Sequence, residues 1–109
     1  MEITEISIKL RNEKKLKAFV NVTFDNMFAV KGLKIIQSKT GLILCMPSRR
    51  AEDGSQRDVA HPISKDFRSR LEKEVFSEYE HVLTRAERGD HSVYADIDDD
   101  NYVMEEEKD

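Results

Sequence analysis

The chain has 109 residues, enough for one domain with a single modest core. No apolar run approaches the roughly 20 residues of a membrane span, no signal-peptide pattern precedes the first strand, and one cysteine permits neither an internal disulfide nor a thiolate metal site, so a cytoplasmic protein is expected. The formal net charge of −4 is unevenly divided: residues 1–88 carry 17 Lys and Arg against 13 Asp and Glu, whereas residues 89–109 carry one against nine. This is the balance of a basic body with an acidic tail.

Ile6, Ile8 and Leu10 alternate with polar residues, the period of a half-buried strand, and Ile3 falls off that register, which points to a bulge at the strand start. Asn12-Glu13-Lys14-Lys15 is a polar connection. Leu16, Ala18, Val20, Val22 and Phe24 then line one face of a second strand. Asp25-Asn26 turns the chain, since both tolerate left-handed geometry. Phe28 and Val30 continue the alternation, and Leu33 and Ile35 take it up in the opposite phase, so Gly32 marks a second bulge. After a turn at Lys39-Thr40-Gly41, Leu42-Ile43-Leu44-Cys45-Met46 is apolar on both faces, the pattern of a central strand covered on both sides. A helix can supply one cover. The other calls for a second subunit, so a homodimer is expected.

Met46-Pro47-Ser48-Arg49-Arg50 and Arg57-Asp58-Val59-Ala60-His61-Pro62 flank the polar turn around Asp53-Gly54, a strong hairpin signal. The hairpin brings Arg57 back beside Arg49 and Arg50, and a cluster of three fixed positive charges is expected. Ser64 is placed to cap a helix, with Asp66 in its first turn. Phe67, Leu71, Val75, Tyr79, Val82 and Ala86 recur at spacings of four or three over about six turns, ending at Gly89. Arg68, Arg70, Lys73, Glu74, Glu78 and Arg85 lie off that stripe. The expected fold is α+β: an antiparallel sheet of about five strands and one long amphipathic helix in residues 1–88, then an acidic, disordered tail in residues 89–109.

Several of these stretches resemble the stage V sporulation protein G family of septation regulators. The central Met46-Pro47-Ser48-Arg49-Arg50, Asp53-Gly54 and Arg57-Asp58-Val59-Ala60-His61-Pro62-Ile63 carry the resemblance most specifically. Met1 to Ile6, Lys17 to Asp25, Phe28 to Ile36 and Glu74 to Tyr79 are similar as well, and the likeness runs to about Leu83. It implies dimeric, site-specific DNA binding, with RNA binding also attributed to members, and contact through basic residues of the helix, here Arg68, Arg70 and Lys73. The process implied is septum placement, with sporulation or other developmental gene expression.

Charge alone supports a polyanion ligand without specifying it. Arg49, Arg50 and Arg57 form one candidate cluster, and Arg68, Arg70 and Lys73 near a helix N-terminus form another. A solvated helix face carries the same pattern, and a protein-interaction module of the division machinery needs no nucleic acid. An enzyme is not expected. His61 and Asp58 could pair as acid and base with Ser48 or Cys45 as nucleophile, but no nucleophile elbow or phosphate loop frames them, and an imidazole at a strand-to-helix corner more often ties down backbone. Asp58 is expected to pair with Arg57 or Arg49 or to cap the loop. Cys45 reads as a small buried hydrophobe. His81 and His91 are too far apart for a metal site, and no cofactor is implied. For the acidic tail three readings stand: a segment that folds back on the basic surface, a solubilising extension, or a docking segment for a protein partner through Tyr94, Tyr102, Val103 and Met104.

Overall fold

The structure, a computed structural model, describes residues 1–95. Strands β1 (Ile3–Leu10), β2 (Leu16–Phe24), β3 (Phe28–Ser38) and β4 (Gly41–Cys45) form an antiparallel sheet in the order β1-β2-β3-β4. A separate two-stranded ribbon, β5 (Ser48–Arg50) and β6 (Gln56–Asp58), follows, then the 23-residue helix α1 (Lys65–Glu87) and a 3-10 turn at His91–Val93. The strands thus number four plus two, because the arginine segments pair with each other and leave the main sheet. No described helix is long and apolar enough to cross a membrane.

The core lies between one sheet face and α1. Ala18, Val20, Val22 and Ile35 are fully buried there against Leu71, Val75, Tyr79 and Val82. The helical stripe read from the sequence is therefore the packing face. Ser64 caps it, its hydroxyl accepting from the Phe67 N–H at 3.1 Å.

Two of the phase slips are where the sequence puts them. The pairing shifts between Ile3 and Glu5, which turns Ile3 inward opposite Phe24. It shifts again so that Val20 meets Leu33 while Val22 meets Val30. The extra residue falls at Lys31-Gly32, and Gly32, at φ +90°, occupies a conformation that a Cβ would strain. Asp25 and Asn26, both at φ 53°, make the two-residue left-handed turn between β2 and β3, closed by the Met27 N–H donating to Phe24 O at 2.9 Å.

Three expectations need correction. Leu16 does not share the face of Ala18: it pairs with Ile36 while Ala18 pairs with Ile35, and the extra residue turns Leu16 to the sheet face away from the helix. β4 is an edge strand, not a central one, and leaves Leu42 38% and Ile43 43% exposed. Leu44 is buried in the helix-side core, so only part of this apolar run is covered by the described residues. Packing also continues past Gly89. Asp90 caps the 3-10 turn and is held by Arg85 Nη2 at 3.0 Å, Val93 is buried in the helix-side core, and Tyr94 bridges to Leu10 in parallel. The remainder of the expected acidic tail, residues 96–109, lies outside the described residues.

Candidate functional site

The ribbon is built on backbone. The Val59 N–H donates to Pro47 O at 2.7 Å and closes its base, while Ala51 and Gly54 close its tip through hydrogen bonds to Ser55 O and Ala51 O. Gly54, at φ +88°, supplies the left-handed residue of the turn. Asp53 accepts from the Ser55 hydroxyl at 2.6 Å and the Ser55 N–H at 3.0 Å, and lies 3.6 Å from Arg57 Nη2. These donors, Ser55 first, hold the Asp53 carboxyl below its ordinary range. The turn thus gains stability above the usual carboxylate pKa and loses it as pH falls through the lowered value.

Register decides which arginines meet. Arg49 is directly opposite Arg57, so both side chains leave the same ribbon face. Arg50 is opposite Gln56 and leaves the other face, together with Ser48 and Asp58. The expected cluster of three is therefore a pair with the third cation turned away. Arg49, Arg50 and Arg57 are all exposed. Like charges directly opposite on a ladder repel, and here Asp53 offsets one of them. Among the described residues no carboxylate reaches Arg49. Asp53, and not Asp58, is the partner of Arg57.

The helix cations also separate. At 3.6 residues per turn Arg68 and Arg70 lie about 160° apart around the axis. Arg68 is half-buried: its Nη2 donates to Leu44 O at 3.2 Å on edge strand β4, and its Nε pairs with Glu72 at 3.0 Å. It ties the helix to the sheet edge. Arg70 reaches the other way, hydrogen-bonding Met1 O, lying 3.8 Å from Glu74 and stacking over the Phe67 ring at 5.1 Å. Lys73 stands on the solvent side between these two directions, exposed. The six basic residues are thus not one patch. The Arg49–Arg57 face and Lys73 are open, whereas Arg68 and Arg70 are engaged within the fold.

A hollow of about 830 Å³ separates the ribbon base from the helix, lined among others by Lys34, Cys45, Ser48, Asp58, Arg68 and Glu72. Its cations and carboxylates alternate, so it carries no single-sign field. Burial pushes the Cys45 thiol above its ordinary value, against the lowering effect of Lys34 and Arg68. The thiol is therefore protonated at neutral pH, and native Cys45 should react with iodoacetamide at pH 8 more slowly than the same chain in urea; equal rates would contradict its burial. His61 is exposed, its Nδ1 hydrogen-bonded to Pro62 O at 3.1 Å, a local backbone tie at the corner before α1.

Sequence reading missed an exposed apolar surface. Met27, Phe28, Val59 and Ile63 are each more than 60% exposed, and Phe28 and Ile63 line a cavity of about 330 Å³ together with Met1, Phe24, Met46, Pro62 and Phe67. The signal was present in Met27 at the turn and Ile63 before the cap, positions where apolar residues have no strand or helix period to serve.

Residues 1–81 match the SpoVG family model. Proteins named "Putative septation protein SpoVG" are similar over most of their length. The one from Anaeromyxobacter sp. (strain K) is 42% identical over 85 residues, covering 78% of this chain and 84% of the relative. That from Acetivibrio thermocellus is 48% identical over 83 residues, 75% and 88% of the two chains. That from Caldicellulosiruptor saccharolyticus is 43% identical over 88 residues, 80% of this chain and the whole of the relative.

Proposed function

We propose, on the premise that this chain belongs to the SpoVG family, that it is a cytoplasmic regulator of septation and of sporulation-related or other developmental gene expression, acting as a homodimer on DNA and, with the same cations, on RNA. The observation that carries the reading is the cross-strand pair Arg49–Arg57 on an exposed two-stranded ribbon. A two-stranded ribbon has the width that the DNA major groove admits, and paired guanidinium groups on its face can fork onto phosphate or onto guanine O6 and N7. The repulsion between the two arginines is relieved when a polyanion lies against them. Lys73 and Arg50 add charge on neighbouring surfaces. Arg68 and Arg70, already bonded inside the fold, act first as braces that hold the helix to the sheet.

The dimer reading rests on β4. Its outward edge is unpaired in the sheet order and Leu42 and Ile43 on it are exposed, a combination that single chains ordinarily avoid. Antiparallel pairing of two β4 edges about a two-fold axis would make one continuous sheet and place two arginine ribbons in symmetric relation. Ile43→Lys is expected to shift the protein to monomer in sedimentation velocity at micromolar concentration while leaving its circular dichroism unchanged. A variant that remains dimeric would remove β4 from the interface. The division-machinery reading, a module that binds protein alone, draws support from the apolar surface around Ile63. It predicts no binding to duplex DNA or RNA by fluorescence anisotropy in low salt.

A further inference from the structure

The ribbon ladder runs one rung past the residues that define its strands. β5 and β6 pair Ser48 with Asp58, Arg49 with Arg57 and Arg50 with Gln56, and the Val59 N–H donates to Pro47 O at 2.7 Å in the same register. Strand side chains change face at every residue. Val59 and Pro47, two positions from Arg57 and Arg49, therefore belong to the arginine face. Pro47 is half-buried, and a Cβ added to Gly32 at the β3 bulge would lie 3.8 Å from the Pro47 Cβ. Val59 is 63% exposed. The rung is anchored on the sheet through one residue and offers a single apolar side chain through the other.

The two faces of the ribbon differ in chemistry. From tip to base the arginine face carries Ala51 with Ser55, Arg49 with Arg57, and Pro47 with Val59, and no acidic residue occupies a rung of it. The opposite face holds Arg50 with Gln56 and Ser48 with Asp58. There the Ser48 hydroxyl donates to the Gln56 side chain at 3.2 Å, and Ser48, Gln56 and Asp58 line the hollow beside β4. That face has a carboxylate on it and is engaged within the fold. The arginine face alone combines positive charge with an open apolar group.

An apolar group beside paired guanidinium groups suits the major groove of DNA. Guanine presents there the O6 and N7 acceptors onto which arginine forks, and thymine presents its 5-methyl group, which takes apolar contact. Val59 stands about 6.8 Å along the strand from Arg57, which is two base-pair steps of about 3.4 Å. We propose that Val59 is a specificity-determining residue: it reads a thymine methyl group two steps from the base that Arg57 contacts. This rests on the reading in which the arginine face enters the groove. Uracil lacks that methyl, and the deep, narrow major groove of an RNA helix is closed to side chains. Val59 thus favours thymine-bearing DNA, whereas the two arginines serve either nucleic acid.

The test starts from a short duplex selected out of a random pool by the full wild-type chain. The same duplex is remade with every thymine replaced by deoxyuridine, which removes the methyl groups and keeps base pairing. Wild-type affinity is expected to fall by about fourfold for each contacted methyl, the effect of burying one such group. Val59→Ser keeps the backbone bond to Pro47, and its melting temperature reports the fold; it is expected to bind both duplexes with one affinity. A wild type that binds them equally, or a Val59→Ser variant that keeps the wild-type preference, would overturn the proposal and leave the arginine pair in place. A wild type that selects no duplex in low salt would remove the arginine reading, and this one with it.

Discussion

Reversing both ribbon charges, Arg49→Glu with Arg57→Glu, is expected to weaken binding to duplex DNA by on the order of a hundredfold or more near 0.1 M salt. Each charge-assisted contact to phosphate is worth roughly 1.5–3 kcal/mol, and reversal also sets a carboxylate against the polyanion. The fold should survive, because both side chains are exposed and the ribbon is held by backbone hydrogen bonds at its base and tip. Fluorescence anisotropy with a labelled duplex gives the affinity, and the melting temperature reports the fold. Arg50→Glu is the informative control: it removes one positive charge from the same ribbon but from the opposite face. A smaller loss for Arg50 than for Arg49 would locate the contact on the Arg49–Arg57 face, whereas equal losses would reduce the ribbon to a general source of positive potential.

The second large effect lies in the core. Ile35→Ala is expected to destabilise the domain by about 2–5 kcal/mol, the range for removing a fully buried aliphatic side chain and leaving a cavity. Ile35 is completely inaccessible, opposite Ala18 on β2 and Leu44 on β4 and part of the cluster that includes Leu71 and Val75. In a domain whose whole stability is about 5–15 kcal/mol, that loss should lower the urea midpoint clearly and the melting temperature by more than about 10 °C. Ile36→Ala makes the contrast. Its neighbour in sequence faces the other side of the sheet, so a cost near that of Ile35 would mean that the outer face is packed as tightly as the core.

The one-sided core was legible because α1 and the inner phases of β1 to β3 follow their periods closely: Leu71, Val75, Tyr79 and Val82 on the helix, Ile6, Ile8 and Leu10 on β1. The slips at Ile3 and Gly32 were legible for the converse reason, since each breaks the alternation visibly. The slip between Leu16 and Ala18 was hidden. Leu16 is apolar and in apparent phase with Ala18, so nothing in composition reveals that its side chain has turned over. Strand order was hidden too. Local pattern says that β4 is apolar on both faces but not where it stands in the sheet, and an edge strand with apolar residues on both faces reads like a central strand.

The arginines teach a related lesson about sites. Sequence proximity put Arg49, Arg50 and Arg57 together, and the hairpin does bring their backbones together. Which face each side chain leaves depends on register, and a strand changes face at every residue. Likewise Arg68 and Arg70 are two residues apart on a helix, a spacing that places them on nearly opposite sides, one bracing β4 and the other bracing Met1. Charge lists made from sequence overlook this, because spacing must be converted into direction before charges can be added.

The most direct test of the arginine ribbon is the salt dependence of duplex binding for the wild type and the Arg49→Glu, Arg57→Glu pair, measured side by side. If the ribbon holds phosphates, log affinity falls with log salt by about 0.9 for each phosphate neutralised, and the variant's slope is shallower by about two contacts. Parallel slopes, with the wild type and variant differing little at any salt, would contradict it.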